Sequence, residues 1–289
     1  MLNELASFFQ LYPASYLSSL FILGLLVGSF LNVVIYRLPI MMQQAWRSDC
    51  LEFLGQAAQT TPDKFNLNTP RSRCSSCGHR ITALENIPLV SYLILRGKCA
   101  NCKTKISIQY PLVELLTGLA SLAIGWHFGV TFQALAGLFF SWCLIAASGI
   151  DMAHKLLPDS ITLPLLWLGI LLALFNVFVD LQTSIIGAMA GYLSFWSIFI
   201  IFKLITGKEG MGHGDFKLLA ALGAWCGWKM LFVIVLTASL AGAVIGILMI
   251  LLHKTKRGEQ IPFGPYLAAA GWISLLWGPQ LLQAYFHMF

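Results

Sequence analysis

The sequence predicts an all-α polytopic membrane protein of about eight transmembrane helices, with a small cytoplasmic zinc-binding domain inserted after the first helix. Three observations carry this reading. Of 289 residues, 58% are apolar and only 10% are charged, and the mean hydropathy is +0.77, which is the composition of a membrane protein. Apolar runs approaching the roughly 17–25 residues needed to cross a bilayer recur along the chain. The one long polar segment, residues 37–110, holds ten of the 18 Lys and Arg residues together with two Cys-x-x-Cys pairs.

The apolar runs place spans at Leu17–Tyr36, Leu112–Gly129, Phe132–Ile150, Ile161–Val179, Thr183–Lys203, Phe216–Gly227, Met230–Leu252 and Phe263–Phe286. The sixth is short, so seven is the competing count. Residues 1–16 carry no Lys or Arg, so a cleavable signal peptide is not expected. The positive-inside rule makes residues 37–110 cytoplasmic. Alternating eight spans from there leaves only Lys229 outside, with 17 of the 18 basic residues inside. That bias accounts for the net charge of +6 without nucleic acid. Three parts follow: an anchor over 1–36, a cytoplasmic loop over 37–110, and a helical membrane domain over 111–289.

Within the first span, Gly24 and Gly28 form a small-xxx-small pair that lets another helix approach. Asn32 is expected to hydrogen-bond a partner helix. Residues 40–70 read as irregular and polar, with Cys50 a free thiol. Cys74-x-x-Cys77 and Cys99-x-x-Cys102 supply four thiolates, the soft tetrahedral set that zinc prefers. A reducing compartment disfavours disulfides there. Four protein ligands close the site, making it structural. Gly78 and Gly97 allow tight turns, and His79 is expected at the surface. The apolar stretch Ile87–Leu95 is too short to span, so it lies on the membrane or fills the small domain. Pro111 and Glu114 suit the opening turn of the second span, and Glu114 pointing into a site is the alternative.

The third span ends at Asp151, where the helix dipole disfavours an anion. Pro158 stops the chain continuing as helix, and Asp159 or Ser160 can cap the next one. Gly212-His213-Gly214-Asp215 then opens the sixth span. Its glycines permit a tight turn and a close approach, and its acid stands at a helix N-terminus. Asp151 and Asp215 thus fall at the cytoplasmic ends of their helices. His154 reads as a loop residue. His253–Gln260 reads as a basic turn, and Pro262–Pro265 as a break beside the acids. Cys143 and Cys226 read as core residues.

Two acids at one face of a helix bundle, with no Ser/His or Cys/His arrangement evident, point to aspartyl chemistry. The stretches Gly28–Pro39, the four cysteines, Tyr110–Glu114, Asp151 with Leu157–Asp159, Gly212–Lys217 and Pro262–Pro265 together resemble the type IV prepilin peptidases. These are bifunctional leader peptidases and N-methyltransferases among the aspartic Gly-x-Gly-Asp membrane proteases. The resemblance implies catalytic Asp151 and Asp215, an inner-membrane location, and type IV prepilins and pseudopilins as substrates. It implies cleavage after a Gly, then methylation of the new N-terminal residue from S-adenosyl-L-methionine. Relatives carrying the four cysteines are typically bifunctional, and Gly97 matches a glycine tied to methyl transfer. The chain departs from the pattern at Ala153, where relatives often have an acid. The sequence shows no dinucleotide-type glycine motif, so the methyltransferase half rests on resemblance alone. The alternatives are a peptidase without the second activity, a proton-coupled transporter, which would place acids near mid-membrane, and a non-enzymatic assembly factor.

Overall fold

A computed structural model describes residues 2–56, 65–208, 210–252 and 261–286. The expected basic turn at 253–260, and residues 57–64 of the polar insert, lie outside the described residues. The ordered elements are helical: α1 (Leu2–Leu11), α2 (Pro13–Phe53), α3 (Val90–Ile94), α4 (Gln109–Phe128), α5 (Phe132–His154), α6 (Asp159–Ala173), α7 (Leu181–Thr206), α8 (His213–Cys226), α9 (Trp228–Leu251) and α10 (Gly264–Phe286). Eight of these occupy the eight expected spans. Five of them, α2, α4, α5, α7 and α9, are long and apolar enough to cross a membrane. Helices α6 and α8 have 15 and 14 residues, short of the roughly 20 a crossing takes. Helix α10 is broken by non-helical backbone at Trp277, just before Pro279.

The insert departs from expectation. Residues 40–53 are not irregular but continue α2, a single helix of 41 residues that contains Pro39. The proline removes one backbone hydrogen bond, at a cost of about 3 kcal/mol. The following Ile40–Ala45 run of Met, Gln and Ala has good helix propensity and no second breaker. Cys50 is an exposed free thiol.

The chain divides into two compact units, residues 1–130 and 131–289. In the first, α2 packs against α4 through small residues. A Cβ on Gly24 would stand 2.6 Å from Ser121 Oγ, and one on Gly28 would stand 2.7 Å from Glu114 Cα. Asn32 donates its side-chain amide to the Tyr110 carbonyl at 3.0 Å, the inter-helix bond its position in a span predicts. Arg37 is buried. Its guanidinium donates to the carbonyls of Asn66 (2.9 Å), Leu67 (3.3 Å) and Pro70 (2.5 Å), so it ties residues 66–70 back to the middle of α2.

In the second unit α8 is the central element, packed by α6, α7, α9 and α10. Phe216 and every residue from Leu218 to Trp225 are buried, so this helix is apolar all round, as a helix enclosed by others must be. Close approach to α7 comes from Gly187, Gly191 and Gly223, each against backbone of the facing helix. Polar ties fix its register. Trp225 Nε1 donates to the Leu165 carbonyl and Ser184 Oγ to the Ala224 carbonyl, both at 2.8 Å.

Candidate active site

Asp151 lies in the last turn of α5, which closes at Lys155 in a left-handed conformation with φ 55° and ψ 39°. Its side chain is 5% exposed. Oδ2 accepts a hydrogen bond from the Gly264 backbone N–H at 2.9 Å, so the start of α10 contributes a donor to the site. The Pro262–Pro265 break therefore sits directly on the acid. A Cβ on Gly264 would come within 2.7 Å of that same oxygen, leaving only glycine able to make this contact without displacement.

Asp215 is the third residue of α8, whose N-cap is Gly212. The helix starts at His213 rather than Phe216, which puts the acid inside the first turn, where unpaired N–H groups face outward. Phe216 beside it is fully buried, and the His213 ring meets Phe199 and Phe216 at centroid distances of 5.0 and 5.4 Å. The two carboxyl groups are within electrostatic reach of each other. Leu157, in the short α5–α6 connection, links them. Its Cβ would lie 2.6 Å from a Cβ on Gly214, and its Cδ2 would lie 3.2 Å from one on Gly264. One leucine thus packs against the glycine preceding Asp215 and the glycine bonded to Asp151.

Asp159 is otherwise engaged. Both its oxygens lie 2.7 Å from Lys217 Nζ, an ion pair joining the start of α6 to the first turns of α8. Lys217 ends the Gly212–Lys217 stretch, but its spacing from Asp215 gives no signal that it pairs with a residue 58 positions away. His154 is exposed at the end of α5.

The four cysteines form a separate centre in the first unit. Their sulfur atoms all lie within 4.8 Å of one another, and Cys74 and Cys102 Sγ are 3.7 Å apart. A tetrahedral zinc–thiolate set with bonds of about 2.3 Å has sulfurs about 3.8 Å apart, so the four residues fit that ion. The two knuckles share one backbone plan. Gly78 N–H donates to the Cys74 carbonyl and Cys74 N–H to the His79 carbonyl, while Lys103 N–H donates to the Cys99 carbonyl and Cys99 N–H to the Thr104 carbonyl. Gly78 and Lys103 hold the same left-handed position, at φ 70° and 58°. Thr104 beside Cys102 holds that thiol down at about 6, and the N–H groups of Cys77 and Ser76 hold Cys74 below the usual thiol range, whereas desolvation and the neighbouring sulfurs of Cys102 and Cys74 push Cys77 up; the fit to zinc rests on the geometry of the four sulfurs. His79 faces Glu85, with Nε2 3.2 Å from Oε1, away from the ligand role. Gly97 is buried two residues before Cys99 of the second knuckle, with φ 66°, and a Cβ there would stand 2.9 Å from the Tyr92 hydroxyl. Glu114 is engaged within the first unit. It is buried and accepts the Leu89 backbone N–H at 2.9 Å.

Comparison with known proteins agrees with this layout. Residues 22–128 match the bacterial peptidase A24 N-terminal domain, and residues 138–247 match the type IV leader peptidase family. Similar proteins named prepilin leader peptidase/N-methyltransferase occur in Stutzerimonas stutzeri, 55% identical over 94% of both chains, and in Pseudomonas aeruginosa, 53% identical over 99% of this chain and 97% of the relative. One from Aeromonas hydrophila is 51% identical over 96% of both. No solved structure matches the chain significantly. With both domains in order and identity above one half along nearly its whole length, the chain belongs to the type IV leader peptidase family.

Proposed function

We propose that the protein is a membrane aspartic endopeptidase that removes leader peptides from type IV prepilins and pseudopilins and then N-methylates the new N-terminus. The observation that carries the first activity is the meeting of Asp151 and Asp215 around Leu157, with Gly264 N–H bonded to Asp151. One carboxylate takes a proton from a water molecule as that water attacks the scissile carbonyl. The other, protonated, donates to the carbonyl oxygen and then passes its proton to the departing amine. The roles belong to the pair, since coupled carboxyls titrate together. The Gly264 N–H fixes the rotamer of Asp151, and Leu157 sets its position relative to the first turn of α8. Burial of Asp151 excludes bulk water, which strengthens each polar contact there.

The second activity is supported by the names of the relatives and by a cysteine set whose spacing fits zinc. Zinc, when bound by Cys74, Cys77, Cys99 and Cys102, supplies a closed structural cross-link, and Gly97 is the residue through which that module is proposed to serve methyl transfer. S-adenosyl-L-methionine supplies the methyl group. We assign the anchor to residues 1–36, the zinc-bearing loop to 37–110 on the cytoplasmic side of the inner membrane, and the proteolytic helices to 111–289. The test is a membrane assay following leader loss and methylation in parallel. Asp151→Asn and Asp215→Asn should each abolish cleavage while the protein stays inserted. Substantial turnover in either variant removes that residue from the dyad.

A further inference from the structure

The stretch Leu84–Leu95, between the two knuckles, has an apolar face that no other part of the described chain covers. It comprises a single 3-10 turn (Leu84–Asn86), the Ile87–Leu89 turn and α3. Leu84, Leu93 and Ile94 are 77%, 73% and 74% exposed, and Val90 and Ile87 are also exposed. Val90, Leu93 and Ile94 share one helical face at spacings of three and four. A polar, zinc-bearing domain surrounded by water would not leave such a face open.

Its height relative to the membrane helices is fixed by Glu114. The buried carboxyl accepts the Leu89 N–H and also bonds the Ser29 hydroxyl on α2. Glu114 is five residues inside α4, which begins at Gln109, so it lies about 7.5 Å along the helix from its start at about 1.5 Å per residue. Leu89 has a positive φ of 58°, a conformation a leucine adopts only when held, and Glu114 holds it. The Pro88–Leu89 turn therefore sits beside the first turns of the helix pair rather than beyond them. At that level α4 itself exposes the apolar side chains of Leu112, Leu115 and Leu116.

Charge agrees. Residues 71–105 carry Arg71, Arg73, Arg80, Arg96, Lys98, Lys103 and Lys105 against the single acid Glu85. Four zinc-bound thiolates carry a net charge of about −2 with the ion, leaving the module cationic. Arg96 and Lys98 are exposed immediately after α3, where the cationic heads can meet lipid phosphates while the apolar face lies among acyl chains.

We propose that Leu84–Leu95 is an interfacial membrane anchor, with Leu84, Val90, Leu93 and Ile94 inserted at the headgroup–acyl boundary of an anionic leaflet. The insertion holds the second knuckle and Gly97 at the bilayer surface. The inference stands on the fold and charge of the first unit and is independent of the reaction assigned above.

The test uses the full chain in vesicles of phosphatidylethanolamine and phosphatidylglycerol doped with a phospholipid bearing a photoreactive diazirine in its acyl chain. After illumination, labelled fragments are mapped by mass spectrometry. The exposed face of α4 is the positive control, and the knuckle tips Ser75, Ser76 and Asn101 are the negative one. The expected result is label on Leu84–Leu95 at a level comparable to α4. A Leu93→Glu/Ile94→Glu variant that keeps its zinc should lose that label roughly tenfold, since buried charge is expelled from the boundary. Wild-type label no higher than at the knuckle tips overturns the proposal. So does a cross-link from this stretch to a second copy of the chain or to a substrate helix in place of lipid.

Discussion

The two glycines of the Gly-x-Gly-Asp stretch are not equivalent, and alanine at each should separate them. A Cβ on Gly214 would lie 2.6 Å from Leu157 Cβ and 3.4 Å from its carbonyl oxygen. Ordinary carbon–carbon contact is about 3.5–4.0 Å, so Gly214→Ala must open the first turn of α8 and the α5–α6 connection by about 1 Å. A displacement of that size at a catalytic group costs on the order of 100-fold in turnover. The overlap also costs about 1–3 kcal/mol of stability, offset in part by up to about 1 kcal/mol of helix propensity over glycine, so turnover is compared per folded, inserted protein. A Cβ on Gly212, by contrast, meets only Asp215 Oδ2, at 3.7 Å. Gly212→Ala weakens the N-cap and should leave cleavage within severalfold of wild type. The assay is leader removal from a prepilin in detergent-free membranes, with protein levels matched. Leu157→Ala added to Gly214→Ala should not restore activity, because alanine retains the Cβ that causes the overlap. Equal losses at Gly212 and Gly214, or full activity in Gly214→Ala, would refute the steric argument.

Further expectations concern the zinc module and the surroundings of the dyad. Purified protein should hold one zinc, lost on replacing Cys74 and Cys77 together by Ser, because metal binding and local folding are coupled; unchanged zinc by metal analysis would exclude this site. Zinc binds the deprotonated ligands, so occupancy should fall progressively as the pH is lowered and protons compete for the four sulfurs, measurable by equilibrium dialysis; occupancy unchanged down to about pH 4 would exclude a thiolate site. Gly97→Val adds a side chain at positive φ against Tyr92 and should lower methylation by far more than cleavage; equal losses would refute the separation of the two activities. Exchanging the charges, Asp159→Lys with Lys217→Asp, should recover part of the cleavage lost in each single variant, whereas additive losses would show that the ion pair does not help to place the first turn of α8.

Much of this was legible because it depends on local pattern. Apolar run length marked eight helices, and two cysteine pairs 21 residues apart marked a metal module. The opposed helix-end environments of Asp151 and Asp215 marked them as unusual. What was not legible depends on neighbours distant in the chain. Nothing near Lys217 announces Asp159, and nothing near Leu157 announces contact with both Gly214 and Gly264. The Gly264 N–H becomes a donor to Asp151 only when α10 starts where it does. Residues 40–53 read as part of an irregular polar insert because their polarity outweighs a helix propensity that in fact carries α2 on to Phe53, and nothing local announces that Arg37 is buried among carbonyls. The sequence supports two placements for Glu114, since its partner is the backbone of a leucine whose strained φ no residue type predicts.

Helix α2 is one rod of 41 residues, about 60 Å long at about 1.5 Å per residue, and a bilayer core is only about 30 Å thick. The apolar residues Leu17–Tyr36 fill that core, so Arg37–Phe53 projects roughly 25 Å past it as continuous helix. A rod embedded at one end behaves as a lever. Hydrophobic mismatch sets the tilt of its embedded part, and a change of about 10° moves the far end by roughly 4 Å. Arg37, gripping the carbonyls of Asn66, Leu67 and Pro70, lies at the fulcrum of that lever. A change in tilt of the embedded part would therefore be felt where residues 66–70 are tied to the rod.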